Sequence, residues 1–161
     1  MKPSIPTLLE TLPQVGQVQW IGLRPERRAT IEVVQQVMAL TESGLEGDRY
    51  AGSSGKRQVT LIQHEHLPVI AAVLGRTDCD PALLRRNISV SGINLLALKD
   101  KTFSIGDVVL EFTGLCHPCS FMEETLGEGG YNAVRGHGGI TARVLKGGMI
   151  KLNAPVSAIK P

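Results

Sequence analysis

The sequence predicts a mainly β fold, a β-barrel carrying short helical insertions. Three observations point there. Eighteen glycines and nine prolines in 161 residues imply numerous tight turns and short strands, not a helical bundle. Strand patterning recurs along the whole length. Helical patterning is confined to short stretches, without the regular strand–helix alternation of a doubly wound sheet. No repeat, low-complexity tract or linker interrupts the chain, so one domain over residues 1–161 is expected, with its core at about 16–159. At 42% apolar residues, this length can bury a substantial core.

The elements follow in order. Thr7 to Leu12 can make one helical turn, ended by Pro13. Gly16 to Leu23 alternates, with Val18, Trp20 and Gly22 on one side and Gln17, Gln19 and Ile21 on the other, and reads as a strand. Glu26-Arg27-Arg28 is a charged turn. Thr30 to Leu40 reads as one or two strands, although Ile31, Val34, Val37 and Met38 also fit helical spacing. A glycine-rich loop runs from Ser43 to Gly55, and Gln58 to Gln63 is a strand. His64 to Leu74 reads as a helix stopped by Gly75, and Asp80 to Leu84 starts another with Pro81 first, where a missing N–H costs nothing. Asn87 to Val90, Thr102 to Ile105 and Val108 to Thr113 are strands, the last two joined at Gly106-Asp107. Ser120 to Leu126 is a helix with a capping box, Ser120 and Glu123, and Gly127 beyond its end. Gly138 to Leu145 is a strand, and Ile150 to Ile159 supplies one or two more.

Composition excludes several classes. A net charge of +2 is too small an excess for a general nucleic-acid binder, so any positive charge that matters is local and faces a small anion. No run approaches the roughly 20 apolar residues of a membrane helix. The N-terminus lacks the apolar stretch of a signal peptide, so a cytoplasmic location with reduced thiols is expected. Three cysteines, an odd count, argue against a disulfide framework.

The most informative segment is Cys116-His117-Pro118-Cys119-Ser120, where a strand hands over to a helix. A thiol just before a helix start meets free backbone N–H groups and the positive end of the helix dipole. Both favour thiolate, the form that attacks sulfur or binds a soft metal. Cys119 is better placed for this than Cys116. Three other readings stand beside it: two small buried hydrophobes, a thioredoxin-like dithiol, and a zinc knuckle with His117 or His137. Cys79, between Asp78 and Asp80, reads as structural, because flanking carboxylates disfavour thiolate.

Gly44-Leu45-Glu46-Gly47-Asp48-Arg49-Tyr50, Arg57-Gln58-Val59-Thr60-Leu61, Arg86-Asn87-Ile88-Ser89-Val90-Ser91-Gly92-Ile93, Ile105-Gly106-Asp107 and Cys116-His117-Pro118-Cys119 occur in that order. This succession resembles the MOSC family, the domain named after the C-terminal part of molybdenum cofactor sulfurase. The resemblance spans about Gly16 to Ile159. It implies a closed or partly closed β-barrel of the MOSC, pyruvate-kinase-like type. It also implies one cysteine, here Cys119, that carries sulfur as a persulfide or ligates the molybdenum of the pterin cofactor. Small members are proposed as sulfur carriers. Larger relatives reduce N-hydroxylated compounds with an electron-donor partner, and carry an N-terminal region that this chain lacks. At family level, pyridoxal phosphate binding is also associated.

An anionic pterin cofactor, or a persulfide, asks for cations and backbone N–H groups around the thiol. The candidates are Arg49, Lys56, Arg57, Arg86 and Arg143, with Asn87 and His137 beside them; of the neighbours Arg85 and Arg86, one is expected to be exposed. Gly129-Gly130 and Gly138-Gly139 suggest a mobile loop near the site. The expected partners are a persulfide donor such as a cysteine desulfurase, and a sulfur acceptor or electron-transfer protein. Cys116 either resolves the persulfide as a disulfide or is inert. The alternatives are a molybdenum-dependent oxidoreductase and a non-catalytic interaction barrel with an idle thiol.

Overall fold

A computed structural model describes residues 2–49 and 54–161; part of the glycine-rich loop, including Gly52, lies outside the described residues. Eleven strands and four short helices are described: α1 (Ile5–Glu10), β1 (Gly16–Leu23), β2 (Glu32–Val34), β3 (Gln36–Leu40), β4 (Gly44–Leu45), β5 (Val59–Gln63), α2 (His66–Val73), β6 (Ile88–Ser91), β7 (Thr102–Ile105), β8 (Val108–Leu115), α3 (Phe121–Leu126), α4 (Gly130–Val134), β9 (Ile140–Lys146), β10 (Gly148–Lys151) and β11 (Pro155–Ala158). Single 3₁₀ turns occupy Pro81–Leu84 and Leu95–Leu98. No described helix is long and apolar enough to cross a membrane.

Seven strands close into a barrel in the order β11-β7-β8-β9-β5-β6-β1, and β1 returns to β11 through Gly16 opposite Val156. Closure removes the sheet edges that would otherwise recruit other chains. β2 adds to the outer half of β1, and β10-β3-β4 form a small second sheet whose Val37, Ala39, Leu45 and Ile150 join the barrel core. The pairing of β5 with β6 is parallel, so the chain must cross over between them, and α2 and the first 3₁₀ turn occupy that crossover.

Strand β1 departs from simple alternation. A bulge between Val18 and Trp20 shifts its register, so Val18, Ile21 and Leu23 enter the core together. Trp20, expected beside Val18, lies outside over Gly22, where a Cβ would strike its ring. The Thr30–Leu40 segment is two strands broken at Gln35, not a helix. Helix α1 begins two residues earlier than expected, because Ser4 caps it.

Both faces of β5 are covered. Val59 and Leu61 face the barrel core, while Ile62 faces a second cluster with Leu67 and Ile70 of α2, Leu84, Met122 and Leu126 of α3, and Ala133 and Val134 of α4. The Gln58 to Gln63 segment, read as a strand from the sequence, is buried on both sides. The polar residues Gln58 and Gln63 are buried too, but each bonds backbone: Val144 N donates to Gln58 Oε1 at 2.9 Å and Leu95 N to Gln63 Oε1 at 2.9 Å.

Candidate functional site

Strand register assembles the site. β1 runs antiparallel to β6 with Ile21 opposite Ile88, so Arg24 to Arg28 after β1 meet Arg85 and Arg86 before β6. β5 runs parallel to β6 with Leu61 opposite Ile88, which brings Arg57 to the same end. The segment after β4 joins through Arg49 N donating to Arg24 O at 2.7 Å. These residues line a cavity of about 380 Å³ that holds seven arginines: Arg24, Arg27, Arg28, Arg49, Arg57, Arg85 and Arg86. Its far wall is His117, Cys119, Ser120, Phe121 and Met122, and Cys119 is exposed.

Carboxylates compensate only part of this charge. Asp48, its side chain fully buried, pairs with Arg24 at 3.0 Å and also accepts Asn87 Nδ2 at 3.1 Å. Glu124 pairs with Arg28 at 3.0 Å, and Glu26 lines the cavity. Arg85 donates to carbonyls, Ala29 O at 2.6 Å and Glu26 O at 3.5 Å, so its charge is not neutralised by these bonds. Burial and the like charge of Arg24 lower the Arg85 pKa, and Asp48 and the sulfur of Cys119 oppose that. Arg28 and Arg85 both stack on Phe121, at 4.7 and 5.5 Å from the ring centre. The aromatic ring two residues after Cys119 thus fixes two guanidiniums.

Arg86 fastens the cysteine segment. It is buried, with Nε donating to Gly138 O (2.8 Å), Nη1 to Leu84 O (2.9 Å), and Nη2 to Cys116 O (3.3 Å) and His117 O (3.4 Å). Cys116 N donates to Gly139 O at 2.8 Å. Burial lowers the Arg86 pKa, while the sulfurs of Cys116 and Cys119 hold it up. Gly138-Gly139 is therefore a close-packed seam and not the mobile loop the sequence suggests: a Cβ at Gly138 would strike Cys116 O, and one at Gly139 would strike Leu61 O.

Of the sequence candidates, Cys119, Arg49, Arg57 and Arg86 come together in the cavity. The others serve elsewhere. Asn87 is fully buried: it accepts from Thr60 N and Oγ1 at 3.0 and 3.2 Å and donates to Gly22 O and Asp48, so it braces strands and has no atom left for a ligand. Arg143 reaches Ser54 O at 3.3 Å, and Lys56 is an exposed turn residue; neither lines the cavity. His137 packs edge-on against His66, ring centres 4.9 Å apart, away from Cys119's wall. The sequence reading missed Arg24, Arg27, Arg28 and Arg85 as site residues. The signal was the charged turn after β1, uninformative until the β1–β6 pairing is known.

The capping box does not form. Ser120 makes no side-chain cap, and Glu123 instead accepts from Gly129 N (2.8 Å) and Tyr131 N (2.9 Å), bonds that hold its pKa below the usual carboxylate value. Helix α3 has six residues and sums few peptide dipoles, so the guanidiniums, not the helix, supply the positive field at Cys119.

The two cysteines are not equivalent. Cys116 is 2% exposed, receives Arg57 Nη2 at 3.8 Å from its sulfur, and lines a different cavity of about 470 Å³ with Gln63, His66 and Leu95. One thiol buried and the other exposed, each lining a different cavity, argues against a dithiol pair. Among the described residues no group of three or more His, Cys, Asp or Glu side chains could hold a metal ion, so the zinc knuckle does not form. Burial pushes the Cys79 thiol pKa up, with Asp80 and Asp78 adding to it, as a structural residue requires.

Burial, and then His137, lower the His66 pKa from 6.5. The folded state therefore binds fewer protons there than the unfolded chain. The contribution of His66 to stability is full above 6.5 and declines as pH falls through its depressed folded value. A modest drop in urea midpoint between pH 7.5 and pH 5.5 is expected, and a smaller drop in His66→Gln; equal drops in both proteins would remove His66 as the cause.

A family model described as "MOSC domain" matches residues 44–157. No curated protein matches the chain. Among solved structures, the YUAD protein from Bacillus subtilis is 17% identical with a TM-score of 0.77, over 92% of this chain and 98% of that one. YiiM from Escherichia coli is 19% identical with a TM-score of 0.69, over 90% and 70%. YiiM from Geobacillus stearothermophilus is 17% identical with a TM-score of 0.69, over 89% and 75%. At these identities the likeness is one of fold, and it agrees with the closed barrel described above. With the family model covering well over half of its length, the chain belongs to the MOSC domain family.

Proposed function

We propose that this MOSC protein carries sulfane sulfur on Cys119. The observation that supports it is an exposed thiol facing a cavity of seven arginines with, among the described residues, three nearby carboxylates. A persulfide is an anion, and uncompensated guanidiniums stabilise it. In loading, the Cys119 sulfur attacks the terminal sulfur of a donor persulfide. A new S–S bond forms at Cys119, the donor S–S bond breaks, and the donor leaves as a thiol. The donor is reduced and Cys119 is oxidised by the same two electrons, so no other oxidant is needed. A cysteine desulfurase is a suitable donor, and delivery to an acceptor repeats the step in reverse order. Cys116, buried and held by Arg57, stays out of the exchange.

Incubation of the reduced protein with a persulfide donor is expected to add about 32 mass units, one sulfur atom, in intact-mass analysis. Cys119→Ser is expected to remove the adduct entirely, and Cys116→Ala to retain it. Equal loading of Cys119→Ser and the unaltered protein would overturn the carrier reading.

A second reading has its own support. The volume of about 380 Å³ falls within the range of small-molecule pockets, and the cavity offers both a soft ligand and phosphate-binding groups. The molybdenum cofactor fits that donor set: Cys119 would ligate the metal, and Arg27, Arg49 and Arg57 would face its phosphate. When bound, the cofactor supplies two-electron redox chemistry, and reduction of N-hydroxylated compounds with an electron-donor partner belongs to this reading. Near-stoichiometric molybdenum in the purified protein, lost in Cys119→Ser, is its expected signature. Pyridoxal phosphate does not fit, since among the described residues no lysine lines the cavity to hold it covalently.

A further inference from the structure

We infer that the sulfur donor this cavity takes is a small inorganic dianion of the thiosulfate class, so that the protein acts as a thiosulfate:cysteine sulfurtransferase; this rests on the carrier reading of Cys119.

The charge count carries the inference. Asp48 and Glu124 each neutralise one of the seven arginines, and among the described residues Glu26 is the only carboxylate on the wall itself. Arg27 and Arg49 have no ion pair among the described residues, and Arg85 and Arg86 spend their N–H groups on neutral carbonyls. A monoanionic persulfide needs one or two of these charges. An excess of four is matched to a ligand that brings more negative charge and sheds it close by. Thiosulfate does both: it is a dianion, and its leaving group, sulfite, is another.

Geometry agrees with chemistry. Arg27 and Arg49, which line the cavity with Cys119, have no ion pair among the described residues, and a planar guanidinium fork matches two oxygens of a sulfonate. Of the nearby carboxylates, Glu26 lines the wall, while Asp48 is turned into its pair with Arg24.

The step balances. The Cys119 thiolate attacks the sulfane sulfur of thiosulfate, the new Cys119 S–S bond forms, and the S–S bond of thiosulfate breaks with its electron pair leaving on sulfite. Cysteine thiolate and thiosulfate dianion become cysteine persulfide anion and sulfite dianion, with no proton or outside electron required. The same atoms permit the reverse step, in which sulfite strips the persulfide.

The test uses the full, reduced protein with two probes: sodium thiosulfate, and an alkyl hydropersulfide that has no sulfonate. Thiosulfate is expected to add one sulfur and release sulfite in equal amount. Later addition of excess sulfite is expected to return the protein to its unmodified mass. Arg49→Gln, an exposed position, is expected to slow thiosulfate loading about tenfold or more while slowing alkyl hydropersulfide loading far less, and raised salt is expected to slow the thiosulfate reaction more steeply. Arg27→Gln provides a second variant, and thermal unfolding checks that both fold. Loading by the hydropersulfide but not by thiosulfate overturns this inference and leaves the carrier reading standing. Failure of both probes overturns the carrier reading itself.

Discussion

Arg86→Ala is expected to lower stability by about 3–5 kcal/mol and to release the cysteine segment from the barrel wall. Four backbone carbonyls, Gly138, Leu84, Cys116 and His117, converge on one buried side chain, and three of the bonds reach chain that lies 30 or more residues away. Truncation leaves those acceptors in a region too closely packed to rehydrate freely. Each unpaired carbonyl costs about 1–3 kcal/mol, and the two shortest bonds dominate. Partial entry of water offsets the rest. For a chain of this size the loss corresponds to a fall in Tm of roughly 10 °C. Arg86→Lys keeps a cation but has a single nitrogen, which cannot reach Gly138 O and Leu84 O together with the two cysteine-segment carbonyls, so it is expected to recover only part of the loss. Urea unfolding of both variants checks this. An Arg86→Ala protein within about 0.5 kcal/mol of the unaltered one would mean that the four bonds are exchanged for water without cost. Arg86 is thus a positioning residue first. Its charge faces the cavity, but its N–H groups are already committed.

That division between fastening and contacting groups explains what the sequence makes legible. Gly16–Leu23 reads as a strand because its polar and apolar residues alternate locally, but the bulge after Val18, which turns Ile21 inward and Trp20 outward, depends on β6 across the sheet. Closure between Gly16 and Val156 joins residues near opposite ends of the chain, and no local pattern encodes it. The site divides in the same way. Cys119 is legible because a short motif carries it. Arg24, Arg27, Arg28 and Arg85 are not, because they meet only when β1 and β6 pair. Asn87 shows the converse error. Its place in a recognisable motif marks it as important, yet all its hydrogen-bonding capacity goes to Thr60, Gly22 and Asp48, and motif position alone cannot separate a brace from a ligand. Ser120 and Glu123 have the spacing of a capping box, but the N–H groups of Gly129 and Tyr131 compete for the same carboxylate and win.

Gly139→Ala carries the second large expected effect, again about 3–5 kcal/mol, from steric conflict instead of lost bonds. Gly139 has a φ of +91°, in a region that costs an L side chain about 1–3 kcal/mol. Its added Cβ would collide with Leu61 O and stand 2.9 Å from Leu61 C and 3.0 Å from Ile62 Cα. These are backbone atoms of β5, the strand buried on both faces, so they cannot swing aside as a flexible side chain would. Relief requires β9 to move off β5 at its first pairing, Leu61 opposite Ile140. The same shift pulls Gly139 O away from Cys116 N, and with it the segment leading to Cys119. Gly129→Ala is the matched control: its φ of +87° carries similar backbone strain, but nothing lies within 4 Å of its added Cβ. It is expected to lose only the backbone share, about 1–2 kcal/mol. If urea titration finds the two variants equally destabilised, backbone conformation accounts for everything and the close approach of β9 to β5 contributes nothing. If Gly139→Ala is the weaker by about 2 kcal/mol or more and also accepts sulfur at Cys119 more slowly, packing at the seam governs both the stability of the barrel wall and the placement of its thiol.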